Sequence, residues 1–151
     1  MSGFAIRYIG NCTMQKIIRA GFLYFAFVLG TGFVLGSFRV PFLVPRLGER
    51  WAELAEMPIM AFVIFYSAGY ILRRFPEINQ AGTSLLVGFL ALALSVFAEL
   101  GLATLLQEQT LVAYIASRDK VSGSVYLVLL LVFALMPWLR LRKNEYLKVI
   151  S

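Results

Sequence analysis

The chain has 151 residues, of which 60% are hydrophobic and only 15% charged, and its net charge is +6. Soluble domains are about 45–50% apolar and about 25% charged, so these proportions exclude an ordinary soluble enzyme, a disordered segment and a disulfide-rich scaffold. One cysteine and no histidine are present, which excludes an internal disulfide and any site built on histidine. The composition is that of an integral membrane protein.

Four apolar runs predict four membrane-spanning helices within one membrane domain, residues 1–151. They cover residues 20–38, 57–72, 78–106 and 121–139. At about 1.5 Å of rise per residue, such runs approach the roughly 30 Å of a bilayer's hydrocarbon core. Because helices satisfy their backbone hydrogen bonds internally, we expect an all-α, polytopic transmembrane four-helix bundle.

The lysines and arginines predict the orientation of this bundle. Nine of the 14 lie near the two termini and in the turn after the second run, and five lie beside the other two loops. Loops rich in lysine and arginine remain in the cytoplasm, so both termini are expected there. The positive charge therefore reflects contact with the lipid bilayer, and no nucleic-acid partner is expected.

The segment between the first two runs predicts a short amphipathic helix at the outer membrane interface. One helix face of Leu47–Met57 carries Leu47, Trp51 and Leu54. A second face carries three acids spaced four and three residues apart, namely Glu49, Glu53 and Glu56. Amphipathic helices with a tryptophan are typical of the interface between lipid and water.

Small residues predict where helices pack closely. Gly32 and Gly36 form a G-x-x-x-G pair in the first span, which favours close helix packing, within the bundle rather than between two copies of the chain. In the third span Ala91, Ser95 and Glu99 recur every four residues, and Gly88 lies three residues before Ala91, so all four share one face. Glu99 is therefore expected to face a neighbouring helix rather than lipid.

Ionisable residues from separate parts of the chain are expected at one depth near the outer surface. Arg39 ends the first span, Glu56 precedes the second, and Glu99 lies well along the third. An ionised group at this depth is costly unless it is paired or hydrated. The predicted cluster, Arg39 with Glu49, Glu53, Glu56 and Glu99, is either a structural ion-pair network or a site for a cation, a proton or a polar headgroup. Its spacing matches no metal motif, and no metal or other cofactor is expected.

The stretch Arg39–Glu49, which continues to Glu53, Glu56 and Pro58, resembles a group of small bacterial inner-membrane proteins of unassigned function. The run Tyr114–Asp119 adds to this resemblance. It implies a four-helix architecture and a bacterial cytoplasmic membrane, and it identifies no catalytic residue.

Three functions of different kinds are compatible with these features. The first is a non-enzymatic subunit of a membrane assembly, with a membrane-protein partner or as a homo-oligomer. The second is a protein that translocates or senses a small ion or solute through the Arg/Glu cluster. The third is an enzyme that acts on a lipid with Glu49 or Glu53 as general base; the sequence contains no motif with an attached mechanism, which weighs against it.

Overall fold

A computed structural model of the protein describes residues 2–107, 112 and 120–150, and this part of the chain is helical with no strands. Its four long helices are α1 (Ser2–Phe38), α2 (Glu49–Arg74), α3 (Ala81–Gln107) and α4 (Lys120–Ile150). Each contains a segment long and apolar enough to cross a membrane. The prediction of an all-α chain with four such helices is confirmed. The run Tyr114–Asp119 lies outside the described residues.

The helices are longer than the predicted spans. The runs 20–38, 57–72 and 121–139 lie inside α1, α2 and α4. The third run was expected to begin at residue 78, but Pro76–Ile78 forms a 3₁₀ turn and α3 starts at Ala81. Proline favours such a turn because its ring fixes φ and removes a backbone donor.

The structure does not contain the separate amphipathic helix that we expected in Leu47–Met57. After α1 the chain makes a π-helical turn, Arg39–Leu43, and one α-helical turn, Val44–Leu47. Gly48, with φ of +80°, provides the break in which the chain reverses, a conformation that suits glycine. Residues 49–57 are the first turns of α2, which continues through Pro58 to Arg74. An amphipathic pattern does not distinguish a separate helix from the start of a longer one.

The four helices form a bundle in which α1 packs on α2 and α3, and α4 packs on the same two helices. This arrangement places α1 opposite α4. Tyr24 of α1 crosses the centre and donates a hydrogen bond of 2.9 Å to the carbonyl of Phe133 on α4. Their rings are also in contact, with centroids 4.7 Å apart.

Glycine allows close approach at three helix crossings. A Cβ at Gly21 would lie 2.7 Å from Leu90 Cδ2, at the crossing of α1 and α3. A Cβ at Gly69 would overlap the guanidinium of Arg140, and one at Gly88 would overlap the backbone carbonyl of Ala134.

The packed core occupies one half of the bundle. We call the end at which α1 begins and α4 ends the terminal end, and the end that holds Arg39 and Glu53 the distal end. The buried apolar residues lie mainly from the terminal end to the middle of the bundle: Ile17, Ala20, Tyr24, Val28, Ile64, Ala68, Ile71, Leu72, Ile78, Val87, Ala91, Phe133 and Leu141. The bundle is therefore solid in its terminal half.

An ion pair closes the terminal end. Lys16 on α1 donates a hydrogen bond to Glu77 in the turn between α2 and α3. This hydrogen bond is the main reason why the pKa of Glu77 is lowered from its ordinary value. The pair joins α1 to a turn that is distant in the chain.

Candidate functional site

A cavity of about 620 Å³ lies in the distal half of the bundle. All four helices contribute to its wall. Most of the lining is apolar, including Phe25, Leu29, Met57, Met60, Leu129 and Phe133. Its volume is in the range of small-molecule binding sites, which are usually lined by apolar groups with a few polar ones.

Arg39 and two glutamates form one polar wall of this cavity. Arg39 Nη1 lies 3.3 Å from Glu56 Oε2 and 3.6 Å from Glu53 Oε1. The two glutamates are three residues apart on α2 and so share a face. All three side chains are largely buried, with 28% of Arg39, 11% of Glu53 and 16% of Glu56 exposed. One guanidinium thus faces two carboxylates in a mostly apolar setting.

Glu99 also lines the cavity, and it pairs with a residue other than Arg39. The hydroxyl of Tyr126 on α4 donates a hydrogen bond to Glu99 Oε2. Tyr126 was not expected in the cluster. Their similar depth in the membrane could have been predicted, because Tyr126 lies near the start of the fourth predicted span and Glu99 near the end of the third.

Ser95 lies one helical turn before Glu99 and lines the same cavity. Its residue is 5% exposed, and its Oγ is buried without a hydrogen-bond partner. Serine and threonine hydroxyls inside helices can donate to the carbonyl four residues earlier. Thr31, Ser37 and Ser124 do so here. Ser95 is an exception, so its hydroxyl is free to bind a group in the cavity.

Unsatisfied polar atoms are concentrated at this cavity. Among the described residues, four buried side-chain nitrogen or oxygen atoms have no hydrogen-bond partner, and three of them belong to cavity residues. These three are Arg39 Nε, Ser95 Oγ and Glu56 Oε2, of which Glu56 Oε2 does have an ion-pair contact with Arg39 Nη1. Buried polar groups are normally hydrogen-bonded, so the cavity has unused donors and acceptors.

The charge of the lining is unbalanced. Arg39 is its one cation among the described residues, against three carboxylates, Glu53, Glu56 and Glu99. With all four ionised the cavity would carry a net charge of −2. No three or more histidine, cysteine, aspartate or glutamate side chains in the described ranges could together hold a metal ion. This excess of carboxyl groups over guanidinium groups suits an organic cation or a hydrogen-bond donor.

The remaining residues selected from the sequence have other positions. Glu49 is exposed at the first residue of α2 and does not line the cavity. Gly32 lines the cavity, where an added Cβ would lie 3.6 Å from Met60 Cε, and Gly36 has open space around it. Ala91 is fully buried in the core. Much closer helix contacts occur at Gly88, which lies on the predicted small-residue face of the third span, and at Gly21 and Gly69, which were not predicted.

The cavity is partly open, and its most exposed lining residues belong to α1 and α3. Gly30 and Phe33 on α1 and Leu102 on α3 line the cavity and are exposed. Phe33 is 67% exposed and Leu102 is 40% exposed. The opening is thus bordered by apolar groups on the lateral surface of the bundle.

The chain matches no protein-family model, no curated protein and no solved structure.

Proposed function

We propose that this multi-pass membrane protein binds a small, mainly apolar molecule with a cationic or hydrogen-bond-donating end. The observation that carries this proposal is a pair of buried polar atoms without a partner, Arg39 Nε and Ser95 Oγ, at the wall of a 620 Å³ apolar cavity. Beside them Glu56 Oε2 has an ion-pair contact with Arg39 but no hydrogen bond. Apolar side chains would hold the body of the ligand, and the polar wall would hold its charged end.

Each polar residue has a definite role in this proposal. Arg39 holds Glu53 and Glu56 in place, and Tyr126 orients Glu99. A ligand ammonium group would offset negative charge on the carboxylates and donate hydrogen bonds to their oxygens. Such hydrogen bonds are strong because one or both partners are charged. Ser95 would offer a further donor or acceptor.

The lateral opening supports entry from the membrane. An apolar ligand concentrates in the bilayer, and the exposed border at Phe33 and Leu102 lies where α1 and α3 would face lipid. The ligand would then reach the carboxylates without crossing bulk water.

Binding is favoured over translocation because the cavity ends at packed core. Tyr24, Ile64 and Phe133 are each no more than 2% exposed and lie between the cavity and the terminal end. The hydrogen bond between Tyr24 and Phe133 closes the centre of the bundle. The translocation function and the assembly-subunit function stay predictions.

The ligand class can be tested with three probes that share one alkyl chain: dodecylamine, dodecanol and dodecanoate. We expect dodecylamine to raise the thermal unfolding midpoint of the purified protein more than the other two. Glu99→Gln is expected to weaken dodecylamine binding about tenfold, because it removes a charge-assisted hydrogen bond. Glu145→Gln, an equivalent change at the terminal end, is the control. Equal dodecylamine affinity in both variants would contradict the proposed role of Glu99.

We also propose that the protein resides in a bacterial cytoplasmic membrane with both termini in the cytoplasm, so that the cavity lies in the outer leaflet. The excess of lysine and arginine near the termini supports this orientation.

This orientation can be tested by labelling intact cells with a maleimide that does not cross membranes. In a Cys12→Ser background, Leu47→Cys should be labelled directly and Asn144→Cys only after the cells are permeabilised. Both positions are exposed in the structure. The reverse pattern, or labelling of both sites in intact cells, would refute the proposed orientation.

A further inference from the structure

A second groove, of about 430 Å³, lies at the terminal end on the outside of the bundle. It is separate from the distal cavity and shares no lining residue with it. Its lining consists of Ile18, Arg19, Phe22, Leu23, Arg74 and Phe75. The groove thus combines two guanidinium groups with four apolar side chains.

The two arginines come from different helices and lack acidic partners. Arg19 lies on α1, and Arg74 is the last residue of α2. Neither forms a salt bridge with a carboxylate in the described part of the chain. Glu77, the acid in the adjoining turn, is bonded to Lys16 instead. Arg74 lies over the ring of Phe75 at 5.9 Å, which leaves its N–H groups available.

One end of the groove is charged and lies near the helix ends, and the other end is apolar and lies further into the bundle. Arg74 ends its helix beside the polar turn, whereas Phe22 and Leu23 lie about one helical turn further into the span from Arg19. Phe22 is 56% exposed and Leu23 is 36% exposed, so both offer apolar surface to a neighbouring molecule. An anionic group with an attached hydrocarbon chain fits this polarity.

We propose that Arg19 and Arg74 bind the phosphate of an anionic phospholipid, with an acyl chain lying along Phe22 and Leu23. Arginine binds phosphate through paired, charge-assisted hydrogen bonds. Basic residues at the ends of membrane helices attract anionic headgroups, and basic pockets between such helices bind them specifically. Arg19 and Arg74 form such a basic pocket, because neither guanidinium group is paired with a carboxylate in the described part of the chain. This site is independent of the distal cavity.

Native mass spectrometry of the detergent-purified protein tests this proposal. Phosphatidylglycerol and phosphatidylcholine with identical acyl chains serve as probes. The unmodified protein should retain phosphatidylglycerol preferentially, and R19Q/R74Q should lose about tenfold in affinity for it. R19K/R74K keeps both positive charges but cannot form the paired hydrogen bonds of a guanidinium group. Its affinity for phosphatidylglycerol should lie between those of the unmodified protein and R19Q/R74Q. Circular dichroism establishes that each variant is folded.

The matched control is R142Q/K148Q, which removes the same charge from the same end of the bundle but from residues outside the groove. It should retain the affinity of the unmodified protein. An equal loss in the control would show that the groove has no specific role and overturn the proposal. Equal retention of phosphatidylcholine, or displacement of phosphatidylglycerol by millimolar inorganic phosphate, would overturn the assignment to an anionic lipid.

Discussion

Replacing Arg39 by methionine is expected to lower the free energy of unfolding by about 2–4 kcal/mol. The substitution leaves Glu53 and Glu56 as unpaired carboxylates in a mostly apolar setting. Loss of one partner of a fully buried ion pair costs about 3–5 kcal/mol, and the partial exposure of Arg39, at 28%, reduces this figure. Reversible unfolding in mixed micelles, followed by circular dichroism, measures the change.

Removal of the carboxylate charges should reverse most of this loss. We expect the triple variant Arg39→Met, Glu53→Gln, Glu56→Gln to be substantially more stable than Arg39→Met alone, since no unpaired charge remains. Glu49→Gln changes an exposed glutamate of the same helix and should alter stability by less than about 0.5 kcal/mol. A single Arg39→Met variant as stable as the unmodified protein would show that the ion pairs contribute nothing to the fold.

Replacing Gly88 by valine is expected to lower the free energy of unfolding at least as much as Arg39→Met does. A Cβ at this position would overlap the backbone carbonyl of Ala134, so α3 and α4 must move apart. Overpacking of a core typically costs about 1–3 kcal/mol, and more where backbone rather than a flexible side chain must move. We expect a loss of about 3 kcal/mol or failure to accumulate in the membrane, measured by unfolding in mixed micelles and by expression level.

The matched control for this prediction is Gly36→Val, because Gly36 has open space around its Cα in the bundle. It should change stability by less than about 1 kcal/mol. Separation of α3 from α4 should also break the hydrogen bond between Tyr126 and Glu99, so Gly88→Val is expected to lose dodecylamine binding. Equal stability of the two glycine variants would refute the proposed close contact.

Part of the candidate site follows from positions along the chain. The spacing of Glu53 and Glu56 places them on one helix face, and span lengths place Arg39, Glu56 and Glu99 at a common depth. Depth does not specify which helices face each other. The pairing of Arg39 with both α2 glutamates, and of Glu99 with Tyr126, depends on how the helices are arranged around the bundle.

The sequence alone determined the helical class and the four apolar spans, because hydropathy and helix length are local properties that need no knowledge of neighbours. The three-dimensional packing was needed to show that α1 lies opposite α4, that a cavity occupies the distal half, and that Leu47–Met57 is not a separate helix. These features depend on contacts between residues distant in the chain, such as Gly88 with Ala134. Such contacts arise from the shapes of whole helix surfaces, which no single stretch of sequence contains.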